Sequence, residues 1–191
     1  VDGNGMIVIA ARPDLAILGD DGQFKTQPGD EGQLIRTGYT PLGYHTDPKK
    51  SAETFVNIGG RVWVLSGDRA RINDDGSYVM MGRDSQCINT GGEKVFAEEV
   101  EEIARHYDAV EDVLVVGLPD ERWGNKVVAV VEVAAGKTFD LAAFNEVLRA
   151  KLSGYKVPKA VYLTDKVKRS PAGKADYPWA KKLAAESQPA A

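Results

Sequence analysis

The apolar pattern of this chain changes once, near Gly82–Gln86, and that change limits what the chain can fold into. Before it, short apolar or alternating runs recur between turn signals. Met6–Ala10, Leu15–Leu18 and Gly32–Arg36 are separated by Asp20-Asp21-Gly22 and Pro28-Gly29-Asp30. Arg61–Leu65, Arg69–Asn73 and Ser77–Met81 follow, the last two joined by Asp74-Asp75-Gly76, a strong hairpin signal. Asp47 before Pro48 predicts a short helix to about Phe55, since Asp caps well and proline suits the first helical position. Strands at this spacing predict a small antiparallel sheet or barrel.

After the change, helical and strand periods alternate. Glu98–Tyr107 places Val100, Ile103, Ala104 and Tyr107 on one helical face. Val110–Leu118 and Lys126–Val133 are valine-rich strands with a turn at 119–124 between them. Leu141–Leu152 is amphipathic behind Asp140, its expected cap. Lys159–Leu163 reads as a strand, Lys166–Lys174 as a basic loop and Pro178–Ala185 as a closing helix, with Glu186–Ala191 fraying. The fold class is therefore α+β: a small β-rich subdomain over residues 1–84, then a compact α+β domain over 85–191. The junction between them lacks a long polar linker and suits a short hinge.

Composition narrows the setting. With 43% hydrophobic and 27% charged residues the chain has a globular balance. It contains no apolar run of about 18 residues that could span a membrane. The lone Cys87 cannot form an internal disulfide, which fits a reducing, cytoplasmic setting. His45 and His106 stand far apart with no cysteine cluster, so no metal site is expected. The first residue is Val1, with no basic, apolar leader after it, which suggests a chain that begins inside a longer protein. Net charge is −4, but residues 150–191 carry nine Lys/Arg against three Asp/Glu, a net +6. A basic end can serve polyanionic ligands or form a solvated lysine surface.

Four short motifs have chemical potential. In Ser66-Gly67-Asp68, an aspartate after a glycine turn can accept two hydroxyl hydrogens, as ribose recognition needs. Gly82-Arg83 offers a planar fork of donors for phosphate or ribose oxygens. Asn89-Thr90-Gly91-Gly92-Glu93-Lys94-Val95 lets backbone approach a ligand but has neither a phosphate-loop nor a dinucleotide spacing. Lys166-Val167-Lys168-Arg169-Ser170-Pro171-Ala172-Gly173-Lys174 ends on a lysine that could reach outward as a point charge. Taken singly, each reads more readily as a turn, a surface ion pair or a solvated loop.

Their order is far more specific. These motifs, with Pro41-Leu42-Gly43-Tyr44, Val115-Val116-Gly117-Leu118-Pro119-Asp120-Glu121 and Lys156-Val157-Pro158-Lys159, resemble the adenylate-forming acyl-CoA synthetases from about Pro28 to Leu183. The stretch Cys87–Val95 is most similar to the fatty-acyl and steroid-acid CoA ligases. The resemblance implies an AMP-forming ligase. ATP and a carboxylic acid give an acyl-adenylate and pyrophosphate, then CoA displaces AMP, and a small C-terminal domain rotates between the two steps.

It also implies roles residue by residue. Asp68 matches the ribose-binding aspartate, Arg83 the arginine that contacts ribose near the hinge, and Lys174 the catalytic lysine that binds carboxylate and phosphate oxygens during adenylation. Gly91, Gly92 and Glu93 match the loop that lines the pantetheine tunnel of CoA. Ser85 falls at the hinge position, which usually holds aspartate or lysine, and Ala97 replaces a usual proline at the next helix entry. The phosphate loop, the acyl pocket and the ligands of Mg belong to a larger N-terminal domain, the expected partner, preceding Val1. On that account the isolated chain should neither adenylate nor form thioesters, and no nucleic-acid partner is expected. Two further readings are an adenylation domain that loads a carrier protein, and a non-catalytic module docking on a separate large subunit.

Overall fold

Seven strands between residues 8 and 83 pair into one antiparallel sheet among the described residues, which are 1–2 and 6–190 of this computed structural model. They are β1 (Val8–Ile9), β2 (Leu15–Leu18), β3 (Phe24–Lys25), β4 (Glu31–Arg36), β5 (Phe55–Ile58), β6 (Arg61–Ile72) and β7 (Tyr78–Arg83). Their order is β1-β7-β6-β4-β2-β3, with β5 also pairing to β6. Ile17, Leu34, Ala70 and Ile72 are buried at its core, with Tyr78 and Met80 packed against them. The helix α1 (Pro48–Thr54) starts as its sequence dictates: the Asp47 carboxylate accepts the Lys50 N–H at 2.9 Å, and Pro48 occupies the first turn.

One expectation needs correcting here. Arg61–Leu65 and Arg69–Asn73 are not two strands but parts of the single strand β6. The interruption is a bulge rather than a turn. Gln33 faces Arg69 and Ile35 faces Leu65, so Ser66, Gly67 and Asp68 together oppose Leu34. Gly67 has φ +79°, the left-handed conformation that lets the extra residues fold outward without breaking the strand. The short β3 and β5 were not foreseen; two and four residues carry too little periodicity to read.

Chain contacts divide the molecule into two compact units, Val1–Ser85 and Gln86–Ala191. The second contains a two-stranded hairpin, β8 (Cys87–Thr90) and β9 (Glu93–Phe96), and a three-stranded sheet. That sheet orders β10 (Val110–Asp120), β11 (Gly124–Val133) and β12 (Ala160–Thr164), with β10–β11 antiparallel and β11–β12 parallel. The valine runs are explained by burial on both faces. Val113, Val115, Val127, Ala129 and Val131 face one core with α2 (Ala97–Ala104) and α3 (Leu141–Arg149). Leu114, Val116, Val128 and Val130 face the other with α4 (Tyr177–Glu186). The pleat sends alternate residues to opposite faces, so a strand covered by helices on both sides must be apolar throughout. Phe144 and Leu148 of α3 are fully buried, each contributing about 1.5–3 kcal/mol by removal from water.

The helices begin where their caps stand. Asp140 accepts from the Ala142 and Ala143 N–H groups at 2.8 and 3.0 Å, as its place before Leu141 predicts. Asp176 accepts from Trp179 N–H at 2.9 Å and starts α4. Phe96 caps α2 without a side-chain bond, and Glu98 and Glu99 favour that end through the helix dipole. Ala97 is buried in the core. In the tail, where fraying is expected, the Ala190 N–H donates to Val161 O of β12 at 2.7 Å. Ala191 lies outside the described residues.

Candidate functional site

The bulge in β6 decides where Asp68 points. The Ser66 hydroxyl donates to Leu34 O at 3.1 Å and accepts the Asp68 N–H at 3.2 Å, locking the bulge. Asp68 pairs with Arg83 across β6–β7, and the Arg83 guanidinium donates to the Asp68 carboxylate at 3.2 Å. The two residues that sequence reasoning assigned to ribose are therefore neighbours, although 15 positions apart. Arg83 is exposed and Asp68 only partly so. Beside Asp68 lies a cleft of about 480 Å³ lined by Leu15, Leu34, Arg36, Pro41, Val64 and Ser66. That volume falls in the range of small-molecule pockets. Ser85 is exposed, within the 3-10 turn Asp84–Gln86 that follows β7.

In the second unit, Gly91 and Gly92 form the two-residue connection of the β8–β9 hairpin. The sequence predicts only a loop before the helix there. Both glycines have positive φ, +59° and +88°, as the tightest hairpin turns demand. Gly91 also lies against Trp123: its N–H donates to Trp123 O at 2.8 Å, and a Cβ at Gly91 would stand 2.7 Å from the indole Cε3. Trp123 is exposed, with the Arg122 guanidinium 4.6 Å from its ring centre. Sequence reasoning treated Trp123 only as part of a turn, because nothing local links it to a hairpin some 30 residues earlier. Gly91→Ala is expected to destabilise this unit by about 1–3 kcal/mol, through strain plus collision. Gly92→Ala meets open space and carries the strain alone. Thermal unfolding of both variants checks this, and equal losses would contradict the role given to Trp123.

Lys174 ends a small closed turn. Ser170 N–H donates to Lys174 O at 2.8 Å, Gly173 N–H to Ser170 O at 2.8 Å, and Lys174 N–H to the Ser170 hydroxyl at 3.1 Å. Residues Ser170–Lys174 are exposed, and among the described residues the Lys174 ammonium group makes no hydrogen bond or ion pair. The chain on either side is held by carboxylates of the sheet and of α2. Glu132 accepts from the Lys166 ammonium at 2.8 Å and the Val167 N–H at 2.9 Å. Asp112 accepts two bonds from Arg169, at 2.7 and 2.8 Å. Glu101, 3% exposed, accepts from Val115 N–H at 2.8 Å and from the Tyr177 hydroxyl at 3.3 Å. Burial pushes the Glu101 carboxyl up to about 7, against the opposing pull of Val115 and Arg105. Burial foremost, then the Glu101 charge, pushes the Tyr177 hydroxyl far up.

These features of the second unit occupy opposite ends of one hairpin. Arg169 is tied to Asp112 near the start of β10, whereas the Gly91–Gly92 turn is tied to Trp123 just beyond its end at Asp120. Asp120 lies eight residue steps along the strand from Asp112, roughly 26 Å. Lys174 and the glycine turn thus lie toward opposite ends of the β10–β11 hairpin. Among the described residues no three His, Cys, Asp or Glu side chains gather where a metal could bind, and no helix is long and apolar enough to cross a membrane.

Residues 99–174 match the model of the AMP-binding enzyme C-terminal domain. The chain is 46% identical, over 175 residues, to a medium/long-chain-fatty-acid--CoA/3-oxocholest-4-en-26-oate--CoA ligase of Mycobacterium tuberculosis; the match covers 91% of this chain and 32% of that protein. It is 48% identical over 166 residues to the 3-oxocholest-4-en-26-oate--CoA ligase of Rhodococcus rhodochrous, covering 86% and 30% respectively. Among solved structures, the amide bond synthetase McbA of Marinactinospora thermotolerans superposes with a TM-score of 0.78 at 28% identity, over 89% of this chain and 34% of that one. The chain spans about a third of the length of the curated relatives it matches.

Proposed function

From the match of residues 99–174 to the AMP-binding enzyme C-terminal domain and the likeness to curated CoA ligases, we propose that the chain belongs to the adenylate-forming enzymes and forms the catalytic-lysine end of an AMP-forming acyl-CoA ligase. The carboxylate of an apolar acid, a fatty acid or steroid acid by analogy with the relatives' names, attacks the α-phosphorus of ATP. The bond to pyrophosphate breaks, and an acyl-adenylate forms. The thiol of CoA then attacks the acyl carbonyl and displaces AMP.

In this reading Lys174 supplies a positive charge to the carboxylate and phosphate oxygens in the first step. Asp68 accepts the ribose hydroxyls of ATP, and Arg83 donates to the ribose from the adjoining strand. Gly91, Gly92 and Glu93 line the path of the pantetheine arm in the second step. Ser85, in the turn at the junction of the two units, absorbs the backbone change between steps. The observation that carries the reading is the placement of Lys174 and the glycine turn at opposite ends of the β10–β11 hairpin. One rigid body cannot deliver both to a single reacting centre at once, so two successive orientations are required.

The acyl pocket, and the partner surface that completes the site, belong in this reading to a larger N-terminal domain. Magnesium has no fitting cluster among the described residues, and no step here runs through it. The cytoplasm, where ATP and CoA are abundant, is the proposed compartment. The test is ATP–pyrophosphate exchange. The 191-residue chain should show none, and the longer enzyme that includes it should exchange in the presence of a fatty or steroid acid. Exchange by the isolated chain, or none by the longer enzyme with any such acid, would refute the proposal.

A further inference from the structure

The turn that carries Lys174 has almost nothing to lean on. Residues 170–174 are exposed, and their hydrogen bonds close the turn on itself. Such a turn can hold its internal shape and still swing as a unit, because bonds inside it do not fix it to the sheet. Among the described residues, the side chain of Arg169 makes the only hydrogen bonds that join residues 169–174 to another element. It does so across 57 positions of sequence, with two bonds to Asp112 at 2.7 and 2.8 Å. The same guanidinium donates a third bond, at 3.2 Å, to the carbonyl of Gly173, the residue before Lys174. One planar group therefore grips the sheet on one side and the lysine's own backbone on the other.

Asp112 is placed for this by a local irregularity. The register of β10 against β11 shifts between Val110 and Asp112, and a bulge re-aims the side chain beside it. Asp112 also accepts the Val113 N–H at 2.8 Å, which fixes its carboxylate plane. Burial favours the neutral acid, but the Arg169 bonds and the Val113 N–H outweigh it and hold the Asp112 carboxyl below its ordinary range. The hydrogen bond to Asp112 in turn raises the Arg169 guanidinium. Both partners are thus charged throughout the working pH range, and the side chains are partly shielded, at 32% and 19% exposed. A two-bond guanidinium–carboxylate pair fixes direction as well as distance, which a lysine in place of Arg169 could not do.

We propose that the Asp112–Arg169 pair is a positioning device that sets where the Lys174 ammonium group is presented, acting on the adenylation step and not on thioester formation. This rests on the role given to Lys174 above. Neither residue of the pair is assigned to touch substrate. Each acts through the backbone at Gly173.

Two arms test it. In the 191-residue chain, Asp112→Asn and Arg169→Lys should lower the backbone order parameters of Ser170, Ala172, Gly173 and Lys174 from about 0.85 toward 0.6 or below, leaving those of β10 and β11 unchanged. In the longer enzyme, the same variants should lower kcat for adenylation about 10- to 100-fold, since a displacement of an ångström at a reacting group can cost that much. KM for ATP and thioester formation from supplied acyl-adenylate should stay near wild type. The double variant Asp112→Asn/Arg169→Lys should be no worse than either single one, as for two members of one contact. A turn that stays rigid in both single variants overturns the proposal. So does a loosened turn with normal adenylation in an enzyme that Lys174→Ala disables. Normal adenylation by Lys174→Ala itself would instead remove the lysine's role, and the clamp's purpose with it. Should Asp112→Asn fail to fold, Arg169→Lys keeps the charge and answers alone.

Discussion

Lys174→Ala, made in the longer enzyme, should lower the rate of acyl-adenylate formation about 100- to 1000-fold. That is the loss seen when one preorganised donor is removed from charge that develops in a transition state. Thioester formation from supplied acyl-adenylate should stay close to wild type, because the proposal gives that step to the glycine turn, toward the far end of the β10–β11 hairpin. The variant is also expected to fold normally. The lysine is exposed, and its ammonium group holds no partner among the described residues, so its loss should change stability by about 0.5 kcal/mol or less. The measurements are pyrophosphate release with acid and ATP, and acyl-CoA release with synthetic adenylate. Equal loss in both half-reactions, or in neither, would sink the assignment.

Glu101→Gln should change how the stability of the second unit depends on pH. The Glu101 carboxyl is buried against Val115 and Tyr177 and ionises near 7 in the folded protein, against an ordinary 4.5. Between these values the folded chain keeps a proton that the unfolded chain has released. Folding stability from this group therefore falls as pH rises from 4.5 to 7, by about 3 kcal/mol in all. Below 4.5 both states are protonated, and the cost is absent. Glutamine can still accept the Val115 N–H and has no charge to bury. The variant should then match wild type near pH 5 and exceed it above pH 7.5 by about 1–3 kcal/mol, after allowing for imperfect bonds. Urea midpoints between pH 5 and 8 measure this. Trp63→Phe would silence the first unit, so that Trp123 and Trp179 report the second. Parallel pH profiles for wild type and variant would show that Glu101 stays charged or hydrated.

Much of this architecture could be read before any coordinates existed. The Asp47, Asp140 and Asp74-Asp75-Gly76 signals each specify a local event, because a cap or a tight turn involves residues only two to four apart. The valine runs of β10 and β11 were legible for the same reason. The Ser66-Gly67-Asp68 bulge was not: a glycine before an aspartate reads as a chain reversal unless the partner strand is known to continue past it. The β8–β9 hairpin was hidden in a segment whose glycines drew attention to ligand approach and away from pairing. The tail looked free because its anchor, Val161, lies 29 residues back.

The chain's sequence alone determined its class, its caps, its alternation of strand and helix, and the ordered motifs by which it resembles the adenylate-forming enzymes. These depend on periodicity and backbone preference, which act over a few residues. Tertiary structure alone decided that Asp68 meets Arg83, that Trp123 backs Gly91, that Glu101 is buried, and that Arg169 reaches Asp112. Each of these pairings spans 15 to 76 positions or rests on burial from several elements at once. Charge and shape at such distances are set by which strands become neighbours, and no local pattern records that.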